Sequence, residues 1–269
     1  MTIQTTRHYK VDVTPGPSIN GMKLIILGSG TCVPSLQRNA PGYYLEASGR
    51  HILVDCGSGT LLQLERTGRS FRDIDAVFIT HAHPDHFADL LPLIHALLAV
   101  PASGRTKDFY LFCSREFMAY YEKAIASVLG KPRGFALKMV HVQDTLDFEP
   151  FHIITAKTIH SQDSIAYRFE CEGKAIVFTG DADYDQGLIA LAEKADLLIA
   201  DCSFPDSMKA AGHLSAKECG RIASKAGVKK LVLSHLYPAE SPDNARVQES
   251  REDFKGDIVL AEDLMEITL

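Results

Sequence analysis

Four potential metal ligands fall within six consecutive positions, in the segment 81–86, which reads His-Ala-His-Pro-Asp-His. The apolar run before it predicts a strand that ends where the segment begins. Side chains two positions apart point the same way in extended chain, so His81 and His83 can bind one metal ion. Asp85 and the histidine after it open the next helix and can face a second ion. Imidazole and carboxylate groups suit borderline-soft divalent ions, and a purely structural role rarely explains so dense a cluster.

Polar residues that directly follow other apolar strands supply the remaining ligand candidates. His160, Asp181 and His235 each lie just past the carboxyl end of an apolar run, although each taken singly also has an ordinary structural interpretation. Strand ends converge on one rim of a sheet, where sites form in α/β proteins. A carboxylate such as Asp181 can bridge two cations. The sequence therefore predicts a dinuclear site: His81, His83 and His160 on one ion, Asp85, His86 and His235 on the other, and Asp181 between them.

The elements that must position these residues alternate along the chain. Strand-like runs are 23–28, 43–47, 51–55, 75–80, 109–113, 137–141, 151–159, 165–170, 174–179, 196–200, 230–234 and 257–260. Helix-like runs are 58–67, 86–99, 115–129, 186–194, 215–226 and 244–252. Strands outnumber helices and several form close pairs. This pattern favours mixed α/β sheets with helices packed outside over a purely parallel doubly wound sheet.

Composition excludes several classes of protein. The 269 residues are 46% hydrophobic, which is ordinary globular composition and excludes fibrous and disordered chains. The net charge of −6 argues against a dedicated nucleic-acid binder. The longest apolar stretch, 90–100, is too short to span a membrane and contains Pro92 and His95. Six scattered cysteines without a Cys-x-x-Cys motif indicate reduced thiols and a cytoplasmic location.

The first 21 residues differ from the rest, being polar and broken by a Pro-Gly-Pro sequence at 15–17. They are predicted to be an N-terminal extension or leader, with Met22 as a candidate native start. An extra edge strand at 8–13 is the equally weighted alternative. From 22 to 269 we expect a single hydrolase domain, because no linker, repeat or low-complexity tract interrupts it.

Seven short segments in this order resemble metallo-β-lactamase-superfamily hydrolases and, within them, the ribonuclease Z branch. They are Gly-Ser-Gly-Thr at 28–31, Val-Asp-Cys-Gly at 54–57, the segment 80–86, Thr-Gly-Asp at 179–181, Gly-His-Leu-Ser at 212–215, Ala-Gly-Val at 226–228 and the segment 231–235. The resemblance implies a four-layer αββα sandwich, in which two β-sheets are flanked by helices. It also implies the seven metal ligands proposed above and suggests a homodimer, for which no sequence feature argues.

The resemblance adds an acid–imidazole pair. Members of the branch pair the His of a Gly-His-Ser/Thr motif with the acid of a His-Glu-Ala-Thr segment. His213 and Asp201 match those positions, although the acid is one carbon shorter and Ala200 replaces the preceding His. The match implies that His213 is a general acid whose ring Asp201 orients. The alternative is a histidine that only bonds backbone at the start of a helix.

Three further residues complete the candidate site. Asp55, at the end of an apolar run, resembles an aspartate that holds a ligand histidine in the superfamily, and we expect that role here. Arg38 and Asn39 lie in a loop and are candidates for contact with a substrate phosphate, with a surface position as the alternative.

The reaction implied is hydrolysis by two divalent ions, with zinc expected and manganese or iron as alternatives. A hydroxide that bridges the ions would attack phosphorus, and His213 would protonate the leaving oxygen. The expected partner is a small-molecule phosphodiester such as a cyclic nucleotide or cyclic phosphate, and no membrane is involved. Enzymes that process tRNA carry a long Gly/Pro-rich arm, often between the third metal His and the bridging Asp. Here that interval, 160–181, holds a plain hairpin, so tRNA is a less favoured partner.

Three alternative functions stay open from the sequence. One is a tRNA 3′-end endonuclease that works without its own arm. Another is a hydrolase of thioesters, lactones or β-lactams, because the same metal pattern serves those reactions. The third is a non-catalytic binding protein on a degenerate hydrolase fold, which the presence of all seven ligand candidates disfavours.

Overall fold

The computed structural model describes residues 10–11, 21–99, 105–132, 134–238 and 243–269. Its strands are β1 (Lys10–Val11), β2 (Met22–Gly28), β3 (Gly42–Ala47), β4 (Arg50–Cys56), β5 (Ala76–Phe78), β6 (Phe109–Cys113), β7 (Leu137–His141), β8 (Thr145–Phe148), β9 (Phe151–Lys157), β10 (Ile165–Cys171), β11 (Lys174–Phe178), β12 (Leu197–Asp201), β13 (Lys230–Ser234), β14 (Asp257–Leu260) and β15 (Glu266–Thr268). The α-helices are α1 (Thr60–Arg66), α2 (Pro84–Phe87), α3 (Leu90–Ala99), α4 (Arg115–Tyr120), α5 (Ala126–Leu129), α6 (Gln186–Leu191), α7 (Ala216–Ala226) and α8 (Asp243–Asp253).

Two mixed sheets contain these strands. The first has the order β15-β2-β3-β4-β5-β6-β7 and the second the order β1-β8-β9-β10-β11-β12-β13-β14. Strands β4, β5 and β6 run parallel in the first sheet, as β11, β12, β13 and β14 do in the second. The remaining neighbours are antiparallel, apart from the parallel pairs β6–β7 and β1–β8. The antiparallel pair β15–β2 joins strands from distant parts of the chain.

The two sheets pack face to face, because their strands are apolar on both sides. In β2, Leu24 and Ile26 join the core between the sheets, whereas Ile25 and Leu27 join the core beneath helices α1, α3 and α4. Helices α6 and α7 cover the outer face of the second sheet in the same way. Strands buried on both faces read as continuous apolar runs rather than alternating ones. The result is the expected four-layer αββα sandwich.

Aromatic rings fill the centre of the sandwich. Phe78 of the first sheet stacks on its neighbour Phe112, with ring centroids 4.3 Å apart, and meets Phe169 of the second sheet edge-on at 5.0 Å. Edge-to-face and offset pairs of this kind add to the stabilisation from apolar burial. This contact fixes the position of β5, whose carboxyl end leads directly into segment 81–86.

Two of the predicted helical runs are interrupted in the structure. The run 86–99 is two helices, α2 and α3, because the amide of Asp89 donates to the carbonyl of Cys56 at 2.9 Å instead of continuing the helix. The run 115–129 contains a π-helical turn, Tyr121–Ile125, between α4 and α5. Two short strands, β8 and β15, were not predicted, because four and three residues carry too little of the alternating pattern.

Part of the N-terminal prediction lies outside the described residues. Lys10–Val11 pairs in parallel with β8 at the edge of the second sheet, which falls within the alternative edge strand 8–13. Residues 1–9 and 12–20 are outside the described ranges, so the extension or leader interpretation stays a prediction. Of the helices described, none combines the length and the apolar character that crossing a bilayer requires.

Gly57, directly after β4, allows the backbone of the segment 81–86 to approach the end of this strand closely. A Cβ atom at this position would lie 1.9 Å from the backbone oxygen of Asp85. We expect Gly57→Ala to lower the free energy of unfolding by about 1–3 kcal/mol, the usual cost of overpacking, and to reduce metal content by displacing Asp85. Thermal unfolding and metal analysis measure both effects. The control is Gly187→Ala in α6, where the new Cβ meets only a flexible carboxylate oxygen. Equal stability of the two variants would contradict this account.

Candidate metal centre

Three histidines and one aspartate converge in a first cluster at the carboxyl ends of β5, β9 and β11. Ring nitrogens of His81 and His160 lie 2.9 and 3.0 Å from Nδ1 of His83. Oδ2 of Asp181 lies 3.6 Å from Nε2 of His81 and 3.5 Å from Nε2 of His160. One ligand atom from each residue lies within 4.8 Å of every other. The cluster therefore offers three nitrogens and one oxygen to a single ion.

A second cluster adjoins the first and shares its aspartate. Oδ1 of Asp181 lies 3.2 Å from Nε2 of His86 and 3.2 Å from Nε2 of His235. Oδ2 of Asp85 lies 3.7 and 3.6 Å from the same two nitrogens. The two oxygens of Asp181 thus face different clusters, which is the arrangement expected of a carboxylate that spans two cations.

Buried atoms without partners test whether these residues fit metal ions. Nε2 of His86, Nε2 of His235 and Oδ1 of Asp181 are buried and have no hydrogen-bond partner among the described residues. An unsatisfied buried polar atom costs about 1–3 kcal/mol, so three pointing at one another require an explanation. Divalent ions bound by nitrogen and oxygen would satisfy all three. The nitrogen and oxygen atoms of the two clusters therefore fit the predicted pair of divalent metal ions.

The electrostatics of the two clusters differ. Burial, followed by the neighbouring imidazoles, holds the pKa of His81 well below its ordinary value. Burial also opposes protonation of His235, but Asp181, Asp201 and Asp85 outweigh it and raise its pKa to about 10. His81 is thus ready to donate a neutral lone pair. The acids of the second cluster favour positive charge, which a bound cation supplies.

Asp55 holds the imidazole of His86 in place. One of its oxygens accepts from the amide of Thr80 at 2.8 Å. The other lies 2.9 Å from Oγ1 of Thr80 and 2.8 Å from Nδ1 of His86. With Nδ1 held, Nε2 of His86 is left to face Asp181. The structure thus brings Asp55 into contact with a candidate ligand histidine, and its role in metal binding stays a prediction.

Two residues of the site have left-handed backbone conformations that are unfavourable for side chains other than glycine. Asp55 has φ of 56° at the end of β4, and His235 has φ of 56° just after β13. Such conformations cost about 1–3 kcal/mol and persist where the surroundings impose them, commonly at functional sites.

Replacing Asp55 by asparagine tests the importance of this support. An amide has one acceptor oxygen for the three donors that the carboxylate now satisfies, so His86 loses its orientation. We expect metal affinity, measured by competition with a chelator, to fall about 10- to 100-fold. Asp147→Asn is the matched control, because Asp147 bonds His152 at 2.7 Å in a partly exposed pair away from the clusters. Wild-type affinity in Asp55→Asn would show that this aspartate is only structural.

His160, a candidate ligand of the first cluster, is held by the loop that contains Gly212. Nδ1 of His160 donates to the carbonyl of Gly212 at 2.8 Å, and the amide of Gly212 donates to Asp183 at 2.9 Å. Lys209 closes the network, donating from Nζ to Asp183, to Glu218 and to the carbonyl of His213 at 2.5–2.6 Å. The loop that carries His213 is thus held by the same hydrogen-bond network that orients His160.

His213 and Asp201 form a close pair beside both clusters. Nδ1 of His213 lies 2.9 Å from Oδ2 of Asp201, and the ring centroid is 4.8 Å from that of His160. Burial opposes protonation of His213, but the hydrogen bond and charge of Asp201 outweigh it and raise its pKa. The side chain bonds an acid rather than the backbone of α7, which favours the acid–imidazole interpretation.

Arg38 and Asn39 line a groove of about 390 Å³ beside Asp85. Both also have partners within the chain. Arg38 donates to Ser29 Oγ and to the carbonyl of Ala261, and Asn39 donates from its backbone and side-chain nitrogens to Asp263. These bonds shape the wall of the groove, and contact of either residue with a substrate phosphate stays a prediction.

Four residues of the site have no predicted role: Thr80, Ser203, Lys209 and Asp183. The sequence does carry a signal for a role of Thr80 and Ser203 in the site, because each is a hydroxyl residue within two positions of a candidate ligand or acid. Lys209 and Asp183 carry no such signal, because only the folded chain brings them together.

Sequence comparison relates most of the chain to known proteins. Residues 50–236 match the beta-lactamase superfamily domain. The chain is 26% identical over 302 aligned positions to ribonuclease Z of Archaeoglobus fulgidus, covering 91% of this chain and 97% of the relative. It is 31% identical over 252 positions to a probable metallo-hydrolase, YhfI of Bacillus subtilis, covering 89% of this chain and 97% of the relative.

Solved structures agree with that comparison. The crystal structure of YhfI, described as a metallo-beta-lactamase fold protein, superposes with a TM-score of 0.84 at 28% identity and covers 93% of this chain and 100% of its own. The short form of human tRNase Z has a TM-score of 0.73 at 24% identity, covering 91% of this chain and 98% of its own. The second likeness concerns the fold alone.

Proposed function

The chain belongs to the beta-lactamase superfamily and is a metal-dependent hydrolase, and from that premise we propose that it is a dinuclear phosphodiesterase of small substrates. The main support for this proposal is that the two carboxylate oxygens of Asp181 face separate histidine clusters. An acid–imidazole pair lies directly beside them. Two cation sites next to a proton donor suit the cleavage of a bond between phosphorus and a leaving oxygen.

Seven residues would hold the ions. His81, His83 and His160 would bind one, Asp85, His86 and His235 the other, and Asp181 both. When bound, divalent ions supply Lewis acidity toward phosphate oxygens and lower the pKa of water. We propose zinc, with manganese or iron as alternatives, because nitrogen and oxygen donors accept all three metals.

The pair of His213 and Asp201 would protonate the leaving group. Asp201 engages Nδ1 of His213, so Nε2 is the ring nitrogen left to deliver a proton to the leaving oxygen. The raised pKa of His213 keeps its ring protonated up to a higher pH than a free imidazole. Asp201 also fixes the ring orientation and stabilises the imidazolium, as the acid does in other acid–histidine pairs.

Chain length supports a small substrate over tRNA. The alignment with the archaeal ribonuclease Z needs 302 positions although this chain has 269 residues, so the ribonuclease carries segments that this chain lacks. The alignment with YhfI needs only 252 positions. The interval between His160 and Asp181 is filled by the hairpin of β10 and β11. A net charge of −6 also suits few phosphate contacts.

A panel of substrates tests the proposal. Metal-loaded protein is incubated with a 3′,5′-cyclic nucleotide, a 2′,3′-cyclic nucleotide, a precursor tRNA, a thioester and a lactone. We expect metal-dependent hydrolysis of at least one cyclic phosphodiester, with the precursor tRNA left intact. Cleavage at the 3′ end of the tRNA would favour the endonuclease alternative. Turnover of only the thioester or the lactone would overturn the phosphodiesterase assignment.

A further inference from the structure

Ser203 lies at the junction between the acid–imidazole pair and the second metal cluster. It is fully buried, two residues past the end of β12. Its hydroxyl oxygen lies 2.6 Å from Oδ1 of Asp201, 2.9 Å from Nδ1 of His235 and 3.1 Å from Nδ1 of His213. Its amide also donates to Oδ1 of Asp201 at 3.0 Å. One hydroxyl thus meets a carboxylate and two imidazoles.

The count of hydrogens fixes the direction of these bonds. A serine hydroxyl has one hydrogen to donate and two lone pairs to accept. An ionised Asp201 can only accept, so the hydrogen of Ser203 points to Oδ1. Toward His235 and His213 the hydroxyl therefore accepts, which requires a hydrogen on each Nδ1. The one hydrogen on Nδ1 of His213 is shared between Oδ2 of Asp201 at 2.9 Å and the hydroxyl at 3.1 Å. In the neutral ring that would bind an ion, this assignment leaves the lone pair of His235 on Nε2, the atom that faces Asp181.

Asp201 does not reach His235 without this serine. The distance from Oδ1 of Asp201 to Nδ1 of His235 is 3.5 Å, longer than an ordinary hydrogen bond, whereas the two bonds through the hydroxyl are 2.6 and 2.9 Å. The route from the acid to the ligand histidine therefore runs through Ser203.

A similar set of groups surrounds Asp55, on the side of the site that holds His81 and His86. Asp55 accepts from the amide and the hydroxyl of Thr80, and that hydroxyl lies 3.1 Å from Nδ1 of His81. Asp55 also bonds His86 directly, as Asp201 bonds His213. Each side thus has one carboxylate, one hydroxyl residue and two imidazoles. On the Asp55 side both imidazoles are candidate ligands, which argues that the corresponding unit on the other side also orients a ligand.

We propose that Ser203 is a positioning residue that fixes His235 for metal binding and couples it to the His213–Asp201 pair. The part that concerns His235 rests on the metal centre alone, and the part that concerns His213 rests on the proposed function. The serine itself is not among the seven proposed metal ligands.

The test replaces Ser203 by alanine and by threonine in the full chain. Threonine keeps the hydroxyl and is the conservative variant. Zinc affinity is measured by competition with a chelator, and the histidine tautomers of the zinc-loaded protein are read from imidazole ¹⁵N–¹H NMR. We expect Ser203→Ala to lose zinc affinity about 10- to 100-fold and to lose the ordered Nδ1–H signal of His235, and Ser203→Thr to retain both.

Ser250→Ala is the matched control, because Ser250 is equally buried and donates to the carbonyl of Ala216 at 2.6 Å, away from the clusters. It should lose stability and keep zinc affinity. If Ser203→Ala behaves like this control, with wild-type zinc affinity and an unchanged His235 signal, the proposal is overturned. Both readouts need no substrate, so they are distinguishable from a failure of the phosphodiesterase assignment, which would appear as absent turnover in the wild-type protein.

Discussion

Asp181→Ala is expected to empty or scramble the metal site and to lower phosphodiester turnover by about three decades or more. Asp181 is only 3% exposed, and it is the residue whose oxygens face both clusters. Without it, two groups of imidazoles face each other with no shared negative charge, so two cations are no longer held close together. Bound divalent ions contribute several kcal/mol to catalysis, and each 1.4 kcal/mol is tenfold in rate.

Metal analysis by mass spectrometry measures the first effect, and turnover of a chromogenic diester measures the second. Asp181→Asn is a useful companion, because it keeps the size of the side chain but offers only one acceptor oxygen. Asp196→Asn is the control: Asp196 is 7% exposed and bonds Ala175 and Lys229 at the opposite end of β12. Full metal content in Asp181→Ala would exclude the bridging role.

His213→Ala is expected to lower kcat by about two to four decades while both ions stay bound. His213 lies close enough to Asp181, Asp201 and His235 to belong to a group of possible metal ligands, but its Nδ1 bonds Asp201 at 2.9 Å and is 3.9 Å from Asp181. We therefore assign it to Asp201 and not to an ion. The loss should depend on the leaving group. A poor leaving group such as an alkoxide needs a proton more than a nitrophenolate does, so kcat should fall more steeply for the alkyl diester.

That dependence separates a general acid from a structural histidine. A structural role would lower kcat for both classes of substrate by the same factor. The control is His152→Ala, which removes a histidine that is also paired with an aspartate but lies near the amino end of β9, opposite the end that leads to His160. A kcat for His213→Ala equal to that of the wild type, or a loss that is independent of the leaving group, would remove His213 from the mechanism.

Strand geometry predicts part of the convergence of the ligand candidates. Asp181 and His235 follow β11 and β13, parallel strands of one sheet whose carboxyl ends share a rim. His81 follows β5 of the other sheet and meets them because the two sheets pack face to face. The role of Asp55 and the four-layer sandwich are implied by the family resemblance, whereas the pattern of runs favours only mixed sheets with helices packed outside. The shared rim within one sheet depends on local pattern, so one sequence is enough to see it.

Other features depend on contacts between distant segments and leave no local pattern. Lys209 and Asp183 are 26 positions apart and meet only after folding. The division of the predicted helix 86–99 arises from an amide of Asp89 that bonds the end of β4. The role of Ser203 depends on the side chains that surround its hydroxyl, and residue type alone does not reveal them.

The most direct test of the account is the hydrolysis of bis(p-nitrophenyl) phosphate by metal-free protein titrated with zinc or manganese. The account predicts turnover that rises until two ions are bound per chain and then levels off. That turnover should be absent in Asp181→Ala and retained in Asp196→Asn. Two ions bound with no turnover of this or any other phosphodiester would contradict the central claim and direct attention to thioester or lactone substrates.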